Sequence, residues 1–184
     1  MPDDTVTVDD APSPEFLQAY IRDIPDFPHP GILFKDITPL LNHREAFAAA
    51  VNGLAAPFRG AGVDHVVGLE ARGFIFGAPV AMALGAGFVP VRKAGKLPAN
   101  TIGQAYDLEY GTATVEIHAD AVTPGSRVLI VDDVLATGGT GRAAVDLIRR
   151  AGGTVVGFSV LMELSALRGH EKMPDVELHT LLSV

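Results

Sequence analysis

The sequence predicts an α/β fold, an open and mostly parallel twisted sheet flanked by helices. Three observations carry this expectation. Residues 66–69 and 128–131 are continuously apolar, as strands covered on both faces are. Segments of helical period follow each of them, and Gly- or Pro-containing turns separate the units. Strand and helix in alternation are the pattern of a layered α/β sheet, whose ligands bind at the carboxyl ends of the strands.

Along the chain, residues 1–12 read as a disordered acidic tail, and residues 13–184 as a single domain. The first ten residues hold four Asp and no Lys or Arg. Ser13-Pro14-Glu15 supplies a cap, a first-turn proline and an early acid for a short helix reaching about Arg22. Pro25, Pro28 and Pro30 then interrupt regular structure, with a turn at Pro30-Gly31. Asn42 with Glu45 resembles a capping box, and Phe47, Val51, Leu54 and Phe58 recur at helical spacing behind it. A strand over 66–69, a helix over 74–84 and a strand over 87–91 follow. Residues 112–118 alternate Thr, Glu and His with Ala, Val and Ile, the period of a strand with one wet face. After the strand at 128–131, Ala144, Leu147, Ile148 and Ala151 form a helix stripe that stops at Gly152-Gly153. A buried strand over 155–161 and an edge strand over 176–182 complete the order.

Composition excludes several function classes. With 184 residues there is room for about one domain on the usual scale. Lys and Arg number 14 against 22 Asp and Glu, a formal charge of −8, and there is no Trp and no basic run. Nucleic-acid binding as the main function is therefore not expected, and any bound anion must be met by local cations. No cysteine is present, which removes disulfides, thiolate metal sites and thiol nucleophiles. The acidic start is the opposite of a targeting signal, and no apolar run is long enough to cross a bilayer, so the expected setting is the cytoplasm, without membrane attachment. The six histidines show no metal-ligand spacing.

The segments after residues 69 and 131 carry the chemistry. Asp132 and Asp133 stand at the end of a buried strand, where two carboxylates are costly unless cations or hydroxyls meet them. Ala136-Thr137-Gly138-Gly139-Thr140 then leads into a helix, offering amide donors, hydroxyls and close backbone approach suited to a phosphate monoester. The nucleoside-triphosphate pattern GxxxxGK[ST] is absent. Glu70-Ala71-Arg72-Gly73 follows the other strand, where an Arg beside Gly suits a pyrophosphate.

VLIVDDVLATGGT resembles the phosphoribosyl pyrophosphate motif of the type I phosphoribosyltransferases. With EARGF, the cationic stretch RKAGKLP, YDLEYG, FPHPGILFKD and ELSALRG, the likeness runs from about Ile21 to the end and points to the adenine-specific branch of that family. The resemblance implies the type I phosphoribosyltransferase fold with a small N-terminal hood and a flexible loop at 96–110. It implies that Asp132 and Asp133 hold the ribose hydroxyls and that Ala136, Thr137, Gly138, Gly139 and Thr140 wrap the 5-phosphate. Glu70, Ala71, Arg72, Arg92, Lys93, Lys96 and Tyr110 fall to the pyrophosphate, with a non-proline cis peptide near Glu70-Ala71. Leu33, Phe34 and Lys35 fall to adenine. Glu109, Arg72, Asp132 and Asp133 are the implied catalytic set, Glu109 lying near the purine N7. Magnesium is implied as a guest of the pyrophosphate with no direct protein ligand, reaching Asp132 and Asp133 through water. A homodimer is implied, with Arg92 reaching across it. Rival expectations are an enzyme for hypoxanthine, guanine or xanthine, and a non-catalytic regulator that senses phosphoribosyl pyrophosphate. The latter needs a DNA-reading domain, for which the segment before Ile21 is short and acidic.

Overall fold

Apolar strands dictate the centre of the molecule, a computed structural model that describes residues 13–107 and 111–184. Strand β3 (His65–Leu69) and strand β7 (Arg127–Leu135) lie side by side and parallel, with Val66, Val67, Leu129, Ile130 and Val131 fully buried. They are the middle of a seven-stranded sheet. On one side β3 pairs in parallel with β4 (Gly87–Lys93), and on the other β7 pairs in parallel with β8 (Thr154–Glu163), which pairs with the edge strand β9 (Leu178–Ser183). Beyond β4 the direction reverses: β6 (Thr112–His118) and β5 (Thr101–Asp107) form an antiparallel hairpin at the other edge. The expected mostly parallel sheet is present, with β9 at an edge as its sequence implies.

Two apolar clusters sandwich the sheet. Helix α1 (Pro14–Gln18), helix α3 (Arg44–Ala55) and helix α4 (Gly73–Leu84) cover one face with Leu17, Leu54, Phe76 and Val80. Helix α5 (Gly139–Arg150) covers the other with Ala144, Leu147 and Ile148 against Phe158 and Val160. The βα connections run outward from β3 and β7 in opposite directions, so a crevice opens between their carboxyl ends. Glu70 and Asp132 flank that crevice. Strands β1 (Arg22–Ile24) and β2 (Phe34–Asp36) form a separate two-stranded hood, tied by Arg22 to Asp36 at 2.6 Å and Lys35 to Asp23 at 2.8 Å.

Four expectations are corrected. Helix α1 is capped by Ser13, whose side chain accepts from the Phe16 amide, but it ends at Gln18, and Arg22 already belongs to β1. The cap of α3 is His43, not Asn42: its Nδ1 accepts from the Ala46 amide, while Asn42 closes a short helix α2 (Thr38–Asn42). Asp132 and Asp133 lie inside β7, which continues to Leu135 because β8 pairs with it to Glu163. Residues 101–107 of the expected flexible loop at 96–110 form the strand β5, where sequence reasoning placed no strand. Its seven registered pairs with β6 satisfy a backbone whose side chains have little apolar surface, and Ile102 and Tyr106 pack on the second cluster.

Helix α4 approaches the sheet closely through Gly77, where a Cβ would lie 2.9 Å from the Phe88 ring and 3.2 Å from the Gly68 backbone. Gly77→Ala should therefore destabilise the fold by about 1–3 kcal/mol, the usual cost of overpacking, read as a lowered midpoint of urea unfolding.

Candidate functional site

The crevice between β3 and β7 holds a cavity of about 450 Å³. Leu33, Phe34 and Lys35 come to it from the hood. Glu70, Ala71 and Arg72 come from the end of β3, and Asp132, Asp133 and the run from Ala136 to Thr140 from the end of β7. Three separate stretches of sequence thus converge on one space.

Arg72 is the junction. Its Nε lies 2.7 Å from Oδ2 of Asp133, a residue 4% exposed, and its guanidinium carbon stands 5.3 Å from the centre of the Phe34 ring. Asp132 Oδ1 accepts from the Asp133 amide at 2.9 Å. Although the Arg72–Asp133 pair is close, it is off hydrogen-bond geometry, and Asp133 Oδ2 has no donor. Gly73 opens α4 against this pair, since a Cβ there would lie 2.8 Å from Asp132 Oδ1. Burial, and next the charge of Asp133, push the Asp132 carboxyl well above its ordinary range. Burial also raises Asp133, outweighing the attraction of Arg72.

Beside the cavity, Glu70 gathers the cations. Lys96 Nζ at 2.9 Å, Arg92 Nη2 at 3.0 Å and the Lys93 amide at 2.9 Å all donate to its carboxylate. Burial works against this carboxylate, but those three donors outweigh it and hold Glu70 at about 2. Arg92 also donates to the Lys96 carbonyl at 3.0 Å, so it is tied within its own chain. The Glu70–Ala71 peptide is cis, as the resemblance implies. A small adjoining cleft is lined by Arg92, Lys93, Tyr106 and Thr140.

The chain matches the phosphoribosyl transferase domain family over residues 40–183. A relative from Thermobifida fusca, named adenine phosphoribosyltransferase, is 71% identical over 91% of this chain and 96% of its own. The chain belongs to the phosphoribosyltransferase family. Among solved structures, the adenine phosphoribosyltransferase of Rhodothermus marinus superposes with a TM-score of 0.89 at 53% identity, covering 93% of this chain and 98% of that one. The enzyme of that name from Saccharomyces cerevisiae, solved with an imino-altritol bisphosphate and adenine, gives 0.87 at 39% identity, over 92% and 98%. The type I phosphoribosyltransferase fold is therefore as the resemblance implies, here with a seven-stranded sheet.

Glu109 and Tyr110 lie outside the described residues, and all the other expected site residues fall at the cavity, its adjoining cleft or the Glu70 cluster. Sequence reasoning missed the apolar wall of Ile32, Val134, Leu135, Phe158 and Leu164. Val134 and Leu135 were visible as continuations of the acidic pair, but Phe158 arrives only through its register with Ile130 on β7. It also gave no role to Tyr106, the first residue of the motif YDLEYG, whose hydroxyl lies 3.3 Å from the Thr140 hydroxyl, a contact between distant segments.

Two pH dependences follow. A carboxyl raised by folding binds its proton more tightly in the folded state, so stability falls as pH rises above the ordinary range of about 4. Asp132→Asn should therefore unfold at a higher denaturant concentration than wild type at neutral pH, with the gain shrinking toward acid, while its turnover falls. Glu70 has the opposite sign: lowered from 4.5 to about 2, it contributes stability above 4.5 that is lost as pH falls toward 2. Glu70→Gln should be less stable than wild type near neutrality, and the two unfolding midpoints should converge as the pH is lowered through that window.

Proposed function

We propose that this protein is an adenine phosphoribosyltransferase, which converts adenine and phosphoribosyl pyrophosphate to AMP and pyrophosphate in purine salvage. The observation that carries the reading is the single cavity shared by the hood, the EARG turn and the DDVLATGGT loop. The relatives named for this activity over most of the chain support it. In the reaction the bond from ribose C1 to pyrophosphate breaks with its electron pair leaving on oxygen, and adenine N9 bonds to C1 and loses its proton. Positive charge develops on the sugar as the leaving group departs. Asp132 and Asp133 hold the ribose hydroxyls and favour that charge, and Arg72 and Lys93 meet the pyrophosphate. The amides at the start of α5, with Thr137 and Thr140, hold the 5-phosphate. Adenine lies against Phe34, read by backbone groups of Leu33 and Lys35. Family resemblance assigns Glu109 to the purine N7 and Tyr110 to the pyrophosphate.

Magnesium fits as a guest of the pyrophosphate. The hard carboxylates of Asp132 and Asp133 line the cavity, Asp133 Oδ2 lacks a donor, and the described residues hold no cluster of three acidic or histidine ligands that would cage an ion. When bound it would neutralise charge on the leaving group. The assembly we propose is a cytoplasmic homodimer with Arg92 at the shared face, acting on small molecules and not on nucleic acid. Among the described residues no helix is long and apolar enough to cross a membrane.

Steady-state assays with each purine should show adenine preferred over hypoxanthine and guanine by at least about a hundredfold, because a pocket paired to an amino-bearing edge leaves buried groups unpaired against a 6-oxo base. Comparable turnover of guanine would point to the rival purine enzymes. Asp133→Asn should lower kcat and kcat/KM together, by about a hundredfold, as loss of a contact strengthened in the transition state does.

A further inference from the structure

We infer that the strap at residues 164–172, clamped by the Glu163–His170 hydrogen bond, positions the 5-phosphate loop, which makes His170 a positioning residue for substrate binding. The inference rests on the phosphoribosyl reading of that loop. Leu135 and Glu163 are register partners on β7 and β8, so the phosphate loop and the strap leave the sheet side by side. The Leu164 amide donates to the Leu135 carbonyl at 2.9 Å, joining their first residues.

Farther out the two segments touch backbone to backbone. A Cβ on Gly138 would run into the Gly169 carbonyl oxygen, and one on Gly169 would run into the Ala136 carbonyl oxygen and lie 3.0 Å from the Gly138 amide nitrogen. Gly138 itself has φ +77, and the three atoms nearest to where its Cβ would stand all belong to Gly169 of the strap. Contact without side chains leaves no slack: a shift of the strap must shift the loop.

Among the described residues, one side-chain contact fastens the strap to the sheet. Glu163, 8% exposed, ends β8, and its Oε1 lies 2.6 Å from Nδ1 of His170, the residue after Gly169. The remaining strap pair, Arg168 with Glu171, is exposed and internal to the turn, so it does not tie the strap to the sheet. The same turn carries Lys172, whose Nζ lies 4.0 Å from where a Cβ on Gly139 would stand, at the first residue of α5. Holding His170 thus sets both the backbone behind the phosphate loop and a cation beside its helix.

The test compares His170→Ala, His170→Arg and Glu163→Gln with wild type. His170→Ala and Glu163→Gln should raise the KM for phosphoribosyl pyrophosphate and the Kd for AMP about tenfold, the scale of a charge-assisted contact. The KM for adenine at saturating phosphoribosyl pyrophosphate and the unfolding midpoint should stay near wild type. His170→Arg, which keeps an N–H donor for Glu163, should recover most of the loss. If His170→Ala does not fold, His170→Gln takes its place in the same measurements. Unchanged AMP affinity in these variants overturns the inference, as does equal weakening of adenine and AMP with a lowered unfolding midpoint. A wild-type protein that neither binds AMP nor turns over adenine would instead overturn the phosphoribosyl reading on which the inference stands.

Discussion

The adjacent carboxylates of Asp132 and Asp133 inside the central strand are the constraint to which the rest of the site answers. A strand whose neighbours are fully buried would gain stability from apolar residues at these positions, and an uncompensated buried charge costs several kcal/mol. Compensation comes from the next strand: β3 ends where Arg72 reaches Asp133 at 2.7 Å, and Gly73 lets α4 begin against Asp132 without a side chain between them. The order of strands in the sheet is thus tied to the chemistry. Only the parallel neighbours β3 and β7, with connections leaving in opposite directions, bring these two turns face to face.

A chain with net charge −8 must also bind a substrate rich in phosphate. It does so by local concentration. Arg92, Lys96 and the Lys93 amide surround Glu70, which these donors keep ionised down to about pH 2. An ionised carboxylate at the centre of such a group looks like a waste of positive charge, but it holds two flexible cations and a backbone amide in fixed positions before any anion arrives. Preorganisation of this kind is where electrostatic stabilisation of a leaving group comes from, because no reorganisation is then required during the reaction.

How much of this was legible in the sequence depended on whether the cause was local. The runs at 66–69 and 128–131 announced buried parallel strands because both faces are covered, and the motif residues themselves define where loop meets helix. His43 displaced Asn42 as a cap because an imidazole nitrogen serves as acceptor there, and composition favoured the commoner amide. The hairpin of β5 was hidden since its strand is half wet and its support is the ladder to β6, a long-range fact. Phe158 was illegible as a cavity residue for the same reason, since it arrives across the sheet, and the motifs YDLEYG and ELSALRG marked Tyr106 and Gly169 without showing that they meet Thr140 and Gly138, contacts made from other segments.

Arg72 links the two halves of the cavity. One guanidinium stands over Phe34, where the base is proposed to lie, and contacts Asp133, where the ribose is proposed to lie. The Phe34 ring also meets Phe27 edge to face at 5.1 Å, so the base wall is anchored in the hood and not in the sheet. A base entering against Phe34 therefore meets the same cation that offsets the buried acidic pair. Anything that draws Arg72 toward the pyrophosphate weakens its hold on Asp133 and leaves that carboxylate to the ribose hydroxyls, while changing the surface offered to the base. The hood, the sheet and the proposed sugar site are coupled through one side chain, and the fold's two-stranded addition is for that reason part of the proposed reaction centre.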